Sequence, residues 1–308
     1  MFLKSGAKRN EVLNVKNTDR IKNENFQRNV ELRDGSLVNA IGQGTWHMGE
    51  KHSERAKEVK ALRLGIDLGM TLIDTAEMYG SGGAEEVTGE AVKGIRDKIF
   101  IVSKVYPQNA GKKRAVLSCE NSLKRLGTDY IDLYLIHWRG GIPLRETVEV
   151  MEQLVKEGKI KRWGVSNFDT KDMEELWKIP DGSNCAVNQV LYHLGSRGIE
   201  YDLLPWCREK KLPGMAYCPV AQGGILRKEL LANKTVRRIA GERGISEVQV
   251  LLAWTVREKD IISIPKAVQE NHIYENAETA GIFLSGEEIR DLELEFPAPD
   301  TKVWLDIV

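Results

Sequence analysis

The chain of 308 residues carries 45 basic and 45 acidic residues, so no net charge draws it to nucleic acid or to an anionic membrane, and neither partner is expected. Four cysteines, Cys119, Cys185, Cys207 and Cys218, are scattered without a Cys-x-x-Cys pair or a metal-site spacing; they read as reduced thiols of a cytoplasmic protein, with no metal. The longest apolar run, Val248 to Val256, is broken by Gln249 and falls far short of a membrane span.

Residues 1–25 hold six cations among asparagines and acids, with no apolar core for a signal peptide, and read as a disordered extension that leaves residues 26–308 as one domain. Asn29 to Ile41 alternates about Asp34-Gly35, which predicts a hairpin. The first strand of the main sheet runs to about Gly42, and a glycine-rich loop, GQGTW, ends in Trp46. A helix opening at Ser53 or Glu54 puts Val59, Leu62 and Ile66 on one face and stops at Gly69. Then the pattern repeats. Strands are predicted at Thr71 to Ile73, Lys98 to Val105, Tyr130 to Trp138, Ile160 to Val165, Ala186 to Val190, Gly214 to Tyr217 and Ile261 to Ile264.

Helices alternate with them. They are predicted at Glu85 to Ile95, Lys113 to Leu126, from Pro143 to a stop at Gly158, Thr170 to Trp177 and Glu200 to Lys210, followed by a pair at Asn233 to Gly244 and Ser246 to Lys259. Eight strand-helix units with near-continuous apolar strands point to a parallel sheet covered by helices and closed as a (β/α)8 barrel, an α/β fold. The hairpin would plug its N-terminal end. A helix at Ser285 to Leu294 and the tail to Val308 are additions beyond the barrel.

An ionisable residue ends three successive strands. Asp74 stands where a buried strand emerges, and an unpaired carboxylate there would cost several kcal/mol or more, so it needs a cation. Lys104, 30 positions on and on the same strand face as Val102, supplies one; His137 follows after another 33. That end of the strands is where catalytic groups gather in parallel α/β folds. No GxGxxG follows an N-terminal strand, so a dinucleotide would not be held in the Rossmann manner.

The DTAxxYG motif with Asp74 and Tyr79, the strand-end Lys104, the LIHW run with His137 and the GVSNF run from Gly164 to Phe168 resemble the aldo-keto reductases, over roughly residues 36 to 300. The run from Asn188 to Cys207 carries a closer resemblance to bacterial members that reduce methylglyoxal. The resemblance implies NADPH-dependent reduction of a small aldehyde or ketone, with Tyr79 as general acid, Lys104 lowering its pKa, Asp74 holding the ammonium and neutral His137 orienting the carbonyl. It implies that Ser166, Asn167 and Gln189 bond the nicotinamide carboxamide and that Tyr217 stacks on the ring.

Further cofactor contacts are implied for Gly44, Thr45, Trp46, Asp74, Cys218, Val220, Gln222 and Gly223. Lys266, His272, Glu275 and Asn276 resemble the segment at the adenosine 2′-phosphate. There the chain departs from the family pattern: Ala267 replaces a serine and His272 an arginine, which loosens the phosphate grip and leaves NADH as the alternative cofactor. Trp46 and Trp138, with Tyr79 and His137, would wall a rather open substrate pocket, because the segment after Trp138 is short. A monomer or weak homo-oligomer is expected. The second reading, also from the resemblance, is a cofactor-sensing subunit with the same barrel and little turnover.

Overall fold

Apolar strands that alternate with amphipathic helices bury both faces only as a parallel sheet under a helical cover. The computed structural model, which describes residues 17–307, takes that form. After helix α1 (residues 17–27), β1 (Asn29–Glu31) pairs antiparallel with β2 (Leu37–Asn39). The main sheet holds β3 (Gln43–Gly44), β4 (Leu72–Asp74), β5 (Phe100–Val105), β6 (Leu133–Ile136), β7 (Trp163–Ser166), β8 (Asn188–Leu191), β9 (Gly214–Tyr217) and β10 (Ile261–Ser263), in sequence order and all parallel. Ile41 bridges Ser263, and the amides of Gly42 and Ser263 donate to the carbonyls of Ser263 and Ala40. That seam closes the barrel.

Helices α2 (Arg55–Asp67), α3 (Gly83–Ala91), α4 (Lys112–Leu126), α5 (Leu144–Lys156), α6 (Thr170–Trp177) and α7 (Leu203–Glu209) follow β3 to β8 in turn. Behind β9 come α8 (Gly224–Ala232), α9 (Lys234–Arg243) and α10 (Glu247–Thr255). The chain ends with α11 (Glu270–Glu278), α12 (Gly286–Glu295) and an irregular tail.

Strand alternation sorts the core into two layers. Leu72, Val102, Leu133, Leu135, Val187, Met215 and Ile262 fill the barrel interior, where Val30, Leu32 and Val38 of the hairpin close the bottom as expected. Their strand neighbours Ile73, Ile101, Tyr134, Ile136 and Val165 face outward into the helices.

Several boundaries and two elements differ from the sequence reading. Gln43 and Gly44 belong to the first strand rather than to the loop, and α3 stops at Ala91. Helix α8 was unread because it carries no stripe: Ile225 and Leu226 are exposed and only Leu230 is buried. Helix α11 falls where the sequence pattern predicts no element; only Ile273, Asn276 and Ala277 of it are buried.

The extension needs correction too. Residues 1–16 lie outside the described residues, but 17–25 are helical, not disordered. Ile21 is fully buried with Leu68 and Ala277, and the Asn25 amide donates to the carbonyls of Ile21, Leu68 and Ala277. One apolar side chain and one amide make too short a pattern to show a period.

Leu133 is wholly buried in the barrel interior, so Leu133→Ala leaves a cavity that the closed sheet cannot collapse around. The expected loss is about 2–5 kcal/mol in urea unfolding. Leu117→Ala on the exposed face of α4 is the comparison and should stay within about 0.5 kcal/mol of the parent.

Candidate active site

The same alternation that fills the barrel delivers the polar groups to its mouth. On β4 the inward positions are Leu72 and then Asp74; on β5, Val102 and then Lys104; at β8, Val187 just before the strand and then Gln189; on β9, Met215 and then Tyr217. Register sets the heights, since Asp74 lies opposite Val102 and Lys104 opposite Leu135. One polar layer therefore caps an apolar interior.

Its centre is an ion pair. Lys104 Nζ, 0% exposed, donates to Asp74 Oδ2 at 2.7 Å, to the Thr75 carbonyl at 2.8 Å and to the Tyr79 hydroxyl at 3.2 Å. Gln189 Nε2 donates to the other Asp74 oxygen at 2.8 Å. All three ammonium protons and both carboxylate oxygens thus have partners, the condition under which a buried pair is tolerated. Burial pulls the lysine down and the aspartate up, and their contact opposes both shifts.

Tyr79 behaves differently from expectation. Burial pushes its phenol well above the usual range and the Asp74 charge adds to that, so the net shift is upward even with Lys104 in contact. The reason is that Asp74 already offsets the ammonium, leaving burial as the dominant influence. The phenol is held protonated, with the ammonium 4.7 Å from its ring centroid. His137 meets Tyr79 edge to face with centroids 5.7 Å apart. Burial, then the Lys104 charge, pulls its imidazole down to about 3, so it is neutral as expected.

Above this floor lies a cavity of about 720 Å³. It brings together the predicted Gly44, Thr45, Trp46, Asp74, Tyr79, His137, Trp138, Ser166, Asn167, Gln189, Tyr217, Cys218, Val220, Gln222 and Lys266. Lys104 lies beneath, in contact with Asp74 and Tyr79. Gly223, His272, Glu275 and Asn276 are not among the lining residues. Gly223 precedes α8, His272 is exposed on α11, and Asn276 is buried on the same helix. Gln189 is also committed to Asp74, which limits its amide for other work.

The lining suits a nicotinamide dinucleotide. Ser166 Oγ is buried without a partner, while Asn167, held at φ +57°, accepts from the Tyr217 hydroxyl at 2.9 Å. An unpaired buried hydroxyl next to an aromatic wall matches a carboxamide on a flat ring. Lys266 brings a cation to the same cavity.

Two parts of the site gave no sequence signal. The loops after β3 and β4 touch backbone to backbone: Gly49 has φ +73°, and a Cβ there would fall 2.1 Å from the Gly83 carbonyl carbon. Glu77 fastens the Tyr79 loop to the next one by accepting the Tyr106 amide at 2.7 Å. The tail returns to the mouth, where Ile307 joins the wall and Lys302 bonds Asp169 at 2.5 Å and Asp202 at 2.8 Å. Arg139, Arg227 and Met78 also line the cavity unpredicted.

Comparison with known proteins agrees with this geometry. The model of the aldo/keto reductase family matches residues 40–294. The chain is 55% identical to the methylglyoxal reductase YeaE of Escherichia coli K12 over 282 residues, covering 92% of this chain and 99% of that protein. It is 35% identical to the glyoxal reductase of Bacillus subtilis 168, covering 86% and 91%. A crystal structure of an aldo/keto reductase from Klebsiella pneumoniae in complex with NADP and acetate superposes with a TM-score of 0.89 at 56% identity, covering 91% of this chain and 99% of that one.

The depressed imidazole has a consequence for stability. The unfolded chain protonates His137 below about 6.5 while the folded chain resists until about 3, so stability falls as pH drops through that window. At pH 5 the contribution is about 2 kcal/mol relative to pH 7. His137→Gln should therefore lose less stability than the parent between pH 7 and pH 5 in urea unfolding; equal losses would place the imidazole in water.

Proposed function

Because this chain belongs to the aldo/keto reductase family, we propose that it reduces small aldehydes and 2-oxoaldehydes such as methylglyoxal to alcohols with NADPH, Tyr79 being the general acid. The observation that carries this reading is the contact of the Tyr79 hydroxyl with the buried Lys104–Asp74 pair on the cavity floor. Relatives named methylglyoxal reductase and glyoxal reductase, and a similar structure holding NADP, support the substrate class and the cofactor.

NADPH bound along Ser166, Asn167, Tyr217 and Lys266 supplies the hydride. The chain's own residues handle the oxygen. Tyr79 stays protonated until the carbonyl oxygen becomes basic, then gives up its proton. Lys104 Nζ at 3.2 Å stabilises the phenolate as it forms, opposing the upward push of burial on the phenol. Asp74 and the Thr75 carbonyl hold the ammonium in place.

His137 supplies the second contact. Its Nδ1 is buried without a partner. A buried N–H left unpaired is rarer and costlier than an unpaired acceptor, so the proton sits on Nε2, which makes that nitrogen the donor toward the substrate oxygen. Trp46, Trp138 and Ile307 bound the space left for the carbonyl compound. Four free thiols, three of them buried, support a cytoplasmic setting. A monomer or weak homo-oligomer serves this chemistry, because every proposed group comes from one chain.

Oxidation of NADPH with methylglyoxal, followed at 340 nm, tests the activity. Tyr79→Phe keeps the ring and removes the proton, so kcat/KM should fall about 10²-fold or more while NADPH affinity stays near that of the parent. Turnover at the parent's rate in that variant would remove Tyr79 from the chemistry.

A further inference from the structure

Beyond Asp74 the chain keeps bonding to β5 for one more rung of the parallel ladder before it turns away. The Thr75 amide donates to the Val102 carbonyl at 2.8 Å, and the Glu77 amide to the Lys104 carbonyl at 3.3 Å. By the same two-residue step the next rung would run from the Tyr106 amide to the Glu77 carbonyl. That rung is not made, because the chain is already turning: the Ala76 carbonyl accepts the Tyr79 amide at 3.1 Å.

The Glu77 side chain fills the gap. Its Oε1 accepts the Tyr106 amide at 2.7 Å and the Asn109 side-chain amide at 3.3 Å. No cation pairs with this carboxylate among the described residues, so it is not held there as half of an ion pair. A bond from a backbone amide to an ionised oxygen is about twice as strong as a neutral one, which makes the substitute rung a firm one.

Both ends of that rung lead into the site. On one side Met78 and Tyr79 follow Glu77 directly and line the cavity. The Tyr79 hydroxyl must stay 3.2 Å from Lys104 Nζ, and Lys104 stands two residues before Tyr106 on the strand that the rung grips. On the other side the Tyr106 ring meets Trp138 edge to face with centroids 6.0 Å apart, and Trp138 lies against His137 at 4.9 Å.

We propose that Glu77 is a positioning residue for the reduction: its carboxylate replaces the missing ladder carbonyl, setting the Tyr79 hydroxyl against Lys104 and, through Tyr106, the Trp138 wall of the carbonyl pocket. This rests on the reading that Tyr79 is the general acid. The task needs an acceptor at that point rather than a charge, so glutamine can perform it, whereas alanine has no acceptor and aspartate is one methylene short.

Hydrogen exchange followed by mass spectrometry reads the rung without turnover. Peptides containing Tyr106 should exchange faster in Glu77→Ala and at the parent's rate in Glu77→Gln. In methylglyoxal reduction the kcat of Glu77→Ala should fall about tenfold to a hundredfold, with NADPH affinity by tryptophan quenching near the parent's, and Glu77→Gln should recover most of the loss. Added to Tyr79→Phe, Glu77→Ala should cost little more, since no hydroxyl remains to be placed. Glu77→Asp makes the same tests where Glu77→Ala does not fold, as judged by circular dichroism. Parent-like kcat in Glu77→Ala, equal losses in the glutamine and alanine variants, or full additivity with Tyr79→Phe would each overturn the proposal. A parent protein that reduces no aldehyde would instead sink the reductase reading, and the exchange rates would still decide whether the rung is there.

Discussion

The Lys104–Asp74 pair is the constraint to which the rest of the site conforms. An ammonium and a carboxylate buried to 0% and 2% exposure are tolerated only with every proton and lone pair placed, and the barrel provides those placements from four different segments. Asp74 comes from β4, Lys104 from β5, Gln189 from β8, and Thr75 and Tyr79 from the loop after β4. Moving any one of those segments would strand a charge away from water at a cost of several kcal/mol. The pair therefore does two things at once. It fixes the relative heights of the strands at the mouth, and it leaves one ammonium proton aimed at the Tyr79 oxygen.

In the proposed mechanism a cation beside a phenol stabilises the phenolate, and so opposes the upward push that burial gives the phenol's pKa. Here Asp74 offsets the ammonium in the resting state, and burial dominates, so the acid is kept loaded rather than made stronger. Preorganisation carries the benefit instead: the ammonium is already 3.2 Å away when the proton leaves, with no side chain to rearrange. His137 follows the same logic with the opposite sign, since burial keeps it neutral and the proton it donates is not one it gives away.

How much of this was legible in the sequence depends on which residues repeat. Strand alternation places Leu72 with Asp74, Val102 with Lys104 and Met215 with Tyr217, so the inward face of each strand, and thus the polar layer at the mouth, could be read from period two. The hairpin was legible because Asp34-Gly35 is a strong local turn signal. Helix α8 was not, because its one buried side chain, Leu230, sets no period, and Arg227 was lost with it. The tail was missed for a different reason. Its contacts, Lys302 to Asp169 and Asp202, join residues 133 and 100 positions apart, and single exposed charges carry no sign of their distant partners. The loop-to-loop contact at Gly49 and Gly83 escaped likewise, since a glycine needed for close approach looks no different from one needed for a turn.

These two kinds of residue also divide the molecule physically. Groups that ride on strands take their positions from hydrogen-bonded register, which a single side-chain change does not move. Those that ride on rim segments take theirs from particular contacts: Glu77 on the Tyr106 amide, Lys302 on two aspartates, Arg227 on two carbonyls of its own loop. The ion pair and Gln189 rest on the first kind of support, and Tyr79, brought in by the loop after β4, is tied to them through its contact with Lys104, because the geometry must hold to a fraction of an ångström. The fit around the carbonyl compound belongs on the second, where a change on one rim segment leaves the ion pair below undisturbed.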